Sequence, residues 1–346
     1  MQKQWMIYGA STITGKKILN QALNLGYKPI LAGRQGQELV ELSFQTGTRC
    51  CIFTPNETKK IQFFLKDISL LLLCETLHAR EHKRILKSCL LKGIHYIDMS
   101  NDVFSYEHVQ GFASRFQTAG LTAIPGLHPS VILSDFVAST LKSHLHDANS
   151  LALACSESFT SLISMVNSLQ RGGRVLRNSK LCKPVIAAET LLVPFNGSDT
   201  LTVASAQADI LSAWQSTRIP NVVFYRRADE KEVRLRKHFQ MVRWFLHLPL
   251  LKSWLRSQDN FLIRHFGIKP FYPKKYAVWG KATNASGKSF TLRIEIVNDF
   301  DIALDIVFKL LAKILAGEVR AGLVTASQVL GSDYWVQSEH FTLARL

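Results

Sequence analysis

Tyr8-Gly9-Ala10-Ser11-Thr12-Ile13-Thr14-Gly15-Lys16 is the stretch on which the fold of this chain turns. It follows a short apolar run, Trp5–Tyr8. It precedes apolar residues at helical spacing, Ile18, Leu19, Ala22 and Leu23, which stop at Gly26. A glycine-bearing turn between a first strand and a first helix is the phosphate-binding element of a Rossmann fold. Gly9 permits the tight turn, and Gly15 lets the helix pack close to the strand. The helix N-terminus offers free N–H groups and partial positive charge to a pyrophosphate. The middle glycine of the usual pattern is Thr12 here, whose side chain either crowds the cofactor or donates to a phosphate.

Outward from this turn the chain keeps one rhythm. Pro29–Ala32 reads as a strand closed by Gly33-Arg34, and a helix covers about Gln37–Gln45. Cys50–Phe53 follows, then a helix opening near Asn56, a candidate cap. Ile68–Leu73 is a continuous apolar run, as in a strand buried on both faces. Helices near Ala79–Lys92 and Tyr106–Thr118 lead into His95–Asp98 and Leu121–Ile124. Strands alternating with helices predict a doubly wound parallel sheet, a Rossmann domain over residues 1–126. After Pro125-Gly126 the rhythm changes: a helix over Val131–Leu145, strands at Leu151–Ala154, Val185–Pro194, Tyr276–Trp279 and Ser289–Val297, and an amphipathic helix over Ile302–Leu315. This predicts a second α/β domain, residues 127–346, with a mixed or antiparallel sheet. It is expected to serve substrate binding or dimerisation, with its C-terminal helix packing back on the first domain.

Arg34 closes the second predicted strand, where an acidic residue would bind the ribose 2′-OH of NAD. A guanidinium suits the 2′-phosphate of NADP, because it can pair bidentately with phosphate. NADP is therefore expected ahead of NAD. The expected cofactor contacts are Gly9, Ala10, Ser11, Thr12, Ile13, Thr14, Gly15, Gly33 and Arg34, with Cys74 and Glu75 after the strand at 68–73.

The 346 residues carry a net charge of +16, which implies an anionic partner: a phosphorylated cofactor, an acyl-carrier protein, a membrane surface or nucleic acid. No recognition-module signature or zinc pattern supports nucleic acid. Six cysteines include no Cys-x-x-Cys pair, so free thiols in a reducing compartment are expected. No signal peptide or apolar span of ~20 residues is present, and a cytoplasmic location is expected.

The ordered blocks Tyr8–Gly15 with Leu31–Arg34, Gly93–Ser100 with Pro125-Gly126 and Ser134-Asp135, Ala213–Thr217 with Ile219–Asn221, and Gly322–Ala326 with Leu330-Gly331 span nearly the whole chain. Together they resemble the saccharopine dehydrogenase-like oxidoreductases, a group that includes trans-acting enoyl reductases. The resemblance implies NAD(P)-dependent reduction of a carbonyl, imine or enoyl group, in some members on a lipid or carrier-bound acyl chain. Cys74-Glu75-Thr76-Leu77 stands where the family tends to carry Ala-Gly-Pro beside the nicotinamide, and Leu127–Ser130 where it usually shows Phe-Asp. A carboxylate at Glu75 is awkward beside phosphates and tolerable beside a cationic nicotinamide. These departures leave open a second reading, a catalytically silent Rossmann scaffold that binds a cofactor or a protein partner.

Candidates for chemistry lie where the fourth to sixth strands end and just beyond: Glu75, His78, Ser100, Asn101, His128, Ser134 and Asp135. None is assigned a catalytic role. Ser134-Asp135 equally suits a helix cap. His78 and His82 have metal-binding spacing but no third ligand, so a solvated helix face is expected and no metal. Finally, Arg226–Lys275 interleaves cations with Trp244, Phe245 and Trp254. Three readings remain for it: internal packing, peripheral contact with anionic membrane, or an acyl or acyl-carrier docking surface. A homodimer is a further possibility.

Overall fold

The computed structural model describes residues 4–158, 174–182, 189–195, 198–234, 276–297, 299–337 and 341–345. Residues 235–275 of the basic aromatic stretch and the start of the strand expected at Val185 lie outside the described residues. In the first part of the chain the elements are β1 (Trp5–Tyr8), α1 (Ile13–Asn24), β2 (Ile30–Gly33), α2 (Gly36–Thr46), β3 (Cys50–Ile52), α3 (Thr58–Phe64), β4 (Leu70–Leu73), α4 (Ala79–Lys92), β5 (His95–Asp98), α5 (Val103–Gln110), α6 (Ala113–Thr118) and β6 (Thr122–Ile124). There follow α7 (Pro129–His144), β7 (Ser150–Cys155), β8 (Val175–Arg177), β9 (Lys180–Cys182), β10 (Thr190–Phe195), β11 (Ser198–Ala204), α8 (Asp209–Thr217), β12 (Asn221–Arg227), β13 (Tyr276–Thr283), β14 (Ser289–Ile296), α9 (Asp299–Ala316), β15 (Gly322–Leu323), α10 (Ala326–Leu330) and β16 (Phe341–Arg345).

Two compact units result, residues 1–132 with 300–331, and 133–299 with 332–346. The chain leaves the first unit and returns to it, so the division is not a single point after 126. In the first unit seven strands form one sheet in the order β3-β2-β1-β4-β5-β6-β15, every neighbouring pair parallel. β1 and β4 are short, fully buried runs of mainly apolar residues, and β5, His95-Tyr96-Ile97-Asp98, is buried but for its first residue. Such strands are covered on both faces by helices, and that burial holds the sheet together. The strand order reverses between β1 and β4. In a doubly wound sheet that reversal opens a crevice at the carboxyl ends of the strands. Residues 300–331 belong to this unit: Phe308 of α9 stacks on Tyr27 at 6.0 Å and meets Trp5 edge-on at 6.3 Å. β15 then extends the sheet beside β6.

The second unit holds a mixed sheet, β10-β11-β12-β7-β13-β14-β16, with β8 and β9 attached at β12. β7 and β12 are its parallel pair, and β13 runs antiparallel to β7. α7 lies close on one face. A Cβ on Gly280 would come within 2.6 Å of Val137 and 2.7 Å of Leu141, so a glycine is needed where helix and strand meet. The opposite face carries Ala154, Val193, Phe195, Val223, Tyr225, Ala277 and Trp279 in one apolar cluster.

Three local readings are corrected. Asn56 does not cap α3; Glu57 precedes it, and the Asn56 amide instead donates to Glu81 at 3.1 Å. The helix expected over Tyr106–Thr118 is two, α5 and α6, broken near Gly111. Ser134-Asp135 is no cap, because α7 begins at Pro129 and both residues lie inside it, buried.

Candidate functional site

The turn after β1 faces the reversal point. Gly9 has φ +84°, and a Cβ there would meet Glu75 Cβ at 2.9 Å. A Cβ on Gly15 would meet the Gly9 carbonyl oxygen at 2.2 Å. Neither position admits a side chain: one needs the left-handed backbone, the other the close helix–strand approach. Thr12 is the N-cap of α1. Its Oγ1 accepts from Gly15 N at 3.0 Å, and its single proton lies between Gly9 O at 2.8 Å and Cys74 O at 3.1 Å. That proton is thus engaged within the turn, and the threonine ties the β1 turn to the loop after β4. With Gly15 N capped, the outward N–H groups at the helix start are those of Ile13 and Thr14. Ser11 Oγ donates to Gln35 at 2.8 Å, linking the turn to the segment after β2. Ala10 N, with Gly9 N, bonds to Ala32 O.

Arg34 does not stand alone at the end of β2. Its Nη2 meets Glu75 at 2.7 Å and Glu81 at 3.4 Å. Burial opposes its charge, but Glu75, by charge and hydrogen bond, more than offsets this, and Glu81 adds to the effect. The guanidinium pKa ends above its usual value. The nearby Tyr8 hydroxyl donates to Phe53 O, and burial and Glu75 push its pKa up. Glu75 therefore lies at the Arg34 side of the crevice. Glu81, which the sequence reading passed over, sits in the first turn of α4 with His78 as N-cap, and the His78 N–H donates to it at 3.4 Å. The visible signal was the His78-x-x-Glu81 spacing, close to a capping box.

His82 is not on a solvated face. It is buried, and its Nε2 meets Tyr96 Oη at 2.8 Å. Tyr96 donates to Asp98 Oδ2 at 2.9 Å, so His82 must donate to Tyr96. His108 Nδ1 lies 3.4 Å from His82 Nδ1. Burial, then His108, pushes the His82 pKa down to about 3, so the ring is neutral at physiological pH. Asp98 Oδ1 accepts from Ser100 N at 2.9 Å and Gly126 N at 3.0 Å, fastening the loops after β5 and β6. Burial raises Asp98 to about 6, against the pull of those three donors. His128 Nδ1, just before α7, bonds to Ser130 Oγ in the first turn of that helix at 3.0 Å.

In the second unit Ser134 donates to Asp209 Oδ1 at 2.7 Å. Asp209 is fully buried, and among the described residues its Oδ2 has no hydrogen-bond partner. Burial raises its pKa to about 7, against Ser134 and the charge of Arg226. Arg226, the first residue of the basic aromatic stretch, is buried near the end of β12. Among the described residues no group of His, Cys, Asp and Glu could hold a metal ion. All six cysteines are free. No described helix is long and apolar enough to cross a membrane.

Saccharopine dehydrogenase (L-Glu forming) from Saccharomyces cerevisiae matches with a TM-score of 0.63 at 10% identity, over 99% of this chain and 100% of that one. The chain has the saccharopine dehydrogenase fold. A homospermidine synthase from Legionella pneumophila, solved in complex with NAD, matches with a TM-score of 0.60 at 12% identity, over 99% of this chain and 92% of that one. No protein-family profile and no curated protein sequence matches the chain. A saccharopine dehydrogenase fold at such low identity leaves the chemistry to be argued from the site.

Proposed function

We propose that the chain is a nicotinamide-dinucleotide-dependent oxidoreductase, with NADP preferred to NAD. The observation that carries this reading is the glycine turn at the sheet's reversal point. Gly9 and Gly15 leave no room for side chains there, and the start of α1 points N–H groups outward. The likeness to a homospermidine synthase solved with NAD supports it. Gly9–Gly15 would hold the pyrophosphate, with Gly33, Arg34, Cys74 and Glu75 around the adenosine end. When bound, the nicotinamide supplies or takes a hydride. This chain's residues bind and orient. Thr12 fixes the turn, and Asp98 fixes the two loops beside the second half of the crevice. The substrate class is a carbonyl, imine or enoyl group, on a small molecule or on a lipid- or carrier-borne acyl chain. The excess of positive charge supports an anionic partner, either a carrier protein or a membrane surface, and the location proposed is cytoplasmic, free or peripheral on a membrane.

Calorimetric titration with NADPH and NADH tests the cofactor. Tighter binding of NADPH, weakened by about tenfold in Arg34→Gln, is expected from one charged phosphate contact. Equal affinities for the two would remove the argument from Arg34. The existing pairing of Arg34 with two carboxylates favours the second reading, a scaffold that binds a dinucleotide or partner without turnover. Absence of NADPH oxidation across carbonyl, imine and enoyl substrates, with dinucleotide binding intact, would support it.

A further inference from the structure

We infer that Glu75 is the specificity-determining residue of the crevice, a built-in carboxylate that competes with the cofactor's 2′-phosphate for Arg34. The inference rests on the reading of a dinucleotide site. Its basis is the strand order. β2 and β4 flank β1, so their ends lie two strand spacings apart, roughly 10 Å. Arg34 follows β2 and Glu75 follows β4, and the 2.7 Å ion pair between them therefore spans the end of β1, beside Gly9. That is the ground a dinucleotide's adenosine half would cross.

The two carboxylates on Arg34 are not equivalent. Glu81 is pinned: it accepts from the Asn56 amide at 3.1 Å and the His78 N–H at 3.4 Å, and its side chain is 9% exposed. Among the described residues Glu75 is paired with Arg34 alone. Glu81 can thus orient the guanidinium permanently while Glu75 yields. Counted together, one cation and two carboxylates leave the cluster at −1. A dianionic phosphate entering it must displace Glu75 or bind against it, whereas the neutral 2′-hydroxyl of NAD meets no such opposition. Giving up the charge-assisted Arg34–Glu75 pair to admit the phosphate weakens binding by about tenfold.

The test is calorimetric, on the full chain, with NADPH and NADH as probes and Glu75→Gln as the variant. The neutral amide keeps shape and can still accept from Arg34. NADPH is expected to bind about tenfold more tightly to the variant, with NADH changed by less than about threefold. In an Arg34→Gln background the same substitution should give no gain for NADPH. The thermal midpoint of each variant checks that the fold is kept. Unchanged or weaker NADPH binding by Glu75→Gln overturns the inference. So does a loss of NADH affinity, which would make Glu75 a ribose ligand, or a gain that persists without Arg34. If neither dinucleotide binds wild type or variant, the dinucleotide site itself is refuted, and the inference falls with it.

Discussion

Asp98 in the first unit and Asp209 in the second are both buried carboxyls, yet they differ in what holds them. Asp98 accepts from two backbone N–H groups and the Tyr96 hydroxyl, all at 2.9–3.0 Å. Asp209 has the Ser134 hydroxyl on one oxygen and, among the described residues, no partner on the other. Burial raises both, Asp98 to about 6 and Asp209 to about 7. In both, hydrogen bonds to the ionised form repay part of its desolvation, and for Asp209 the charge of Arg226 adds to this. One carboxyl serves as a staple between loops. The other has, among the described residues, an oxygen without a partner, and burial pushes it up to about 7.

Tyr96→Phe should have the largest effect on this contrast. It deprives Asp98 of a donor and leaves the His82 N–H without its acceptor, both in the core. A loss of about 2–4 kcal/mol in chemical denaturation is expected. Carboxyl NMR should show the Asp98 pKa climbing from about 6 toward that of Asp209. A fall in that pKa would contradict the account.

Asp209→Asn removes the second carboxyl altogether. Its folded pKa of about 7 exceeds the ordinary 3.8, so the folded state binds the extra proton between those values. The stability it lends is full below about 3.8 and is lost as pH rises through about 7. The variant should match wild type near pH 4 and exceed it near pH 8 by on the order of a few kcal/mol. Denaturant midpoints across that range decide it, and parallel curves would show that Asp209 is not the titrating group. Ser134→Ala is the smallest change, costing about 1 kcal/mol at neutral pH and moving Asp209 further upward. A lower Asp209 pKa in that variant would mean that some other donor holds it.

How much of this was legible beforehand follows the same division. Trp5–Tyr8, the turn to Gly15 and the helix after it are contiguous, and local periodicity located them. The alternation of Tyr96 with Asp98 on β5 also put both on one face in plain view. Their partner His82 was read as solvated, because spacing on α4 cannot say which face the sheet covers. Ser134 was found, but Asp209 lies 75 residues further on and met it only through packing within the second unit. The blocks quoted for the family resemblance have clear structural places. Gly322-Leu323 is β15, the seventh strand, and Thr325 caps α10.

By itself the sequence determined the strand–turn–helix units of the first sheet and the glycine turn at its heart. Both rest on interactions between residues close along the chain, and apolar spacing records those directly. Tertiary structure alone decided the state of Arg34. The sequence placed a cation at the end of β2, where a 2′-phosphate would bind. Only the return of the chain to lay β4 beside β1 brought Glu75 within 2.7 Å of it, and α4 brought Glu81, 47 residues away, to the same nitrogen. Charge is a sum over neighbours in space. A residue's identity fixes its own sign, and the fold fixes the sign of the site.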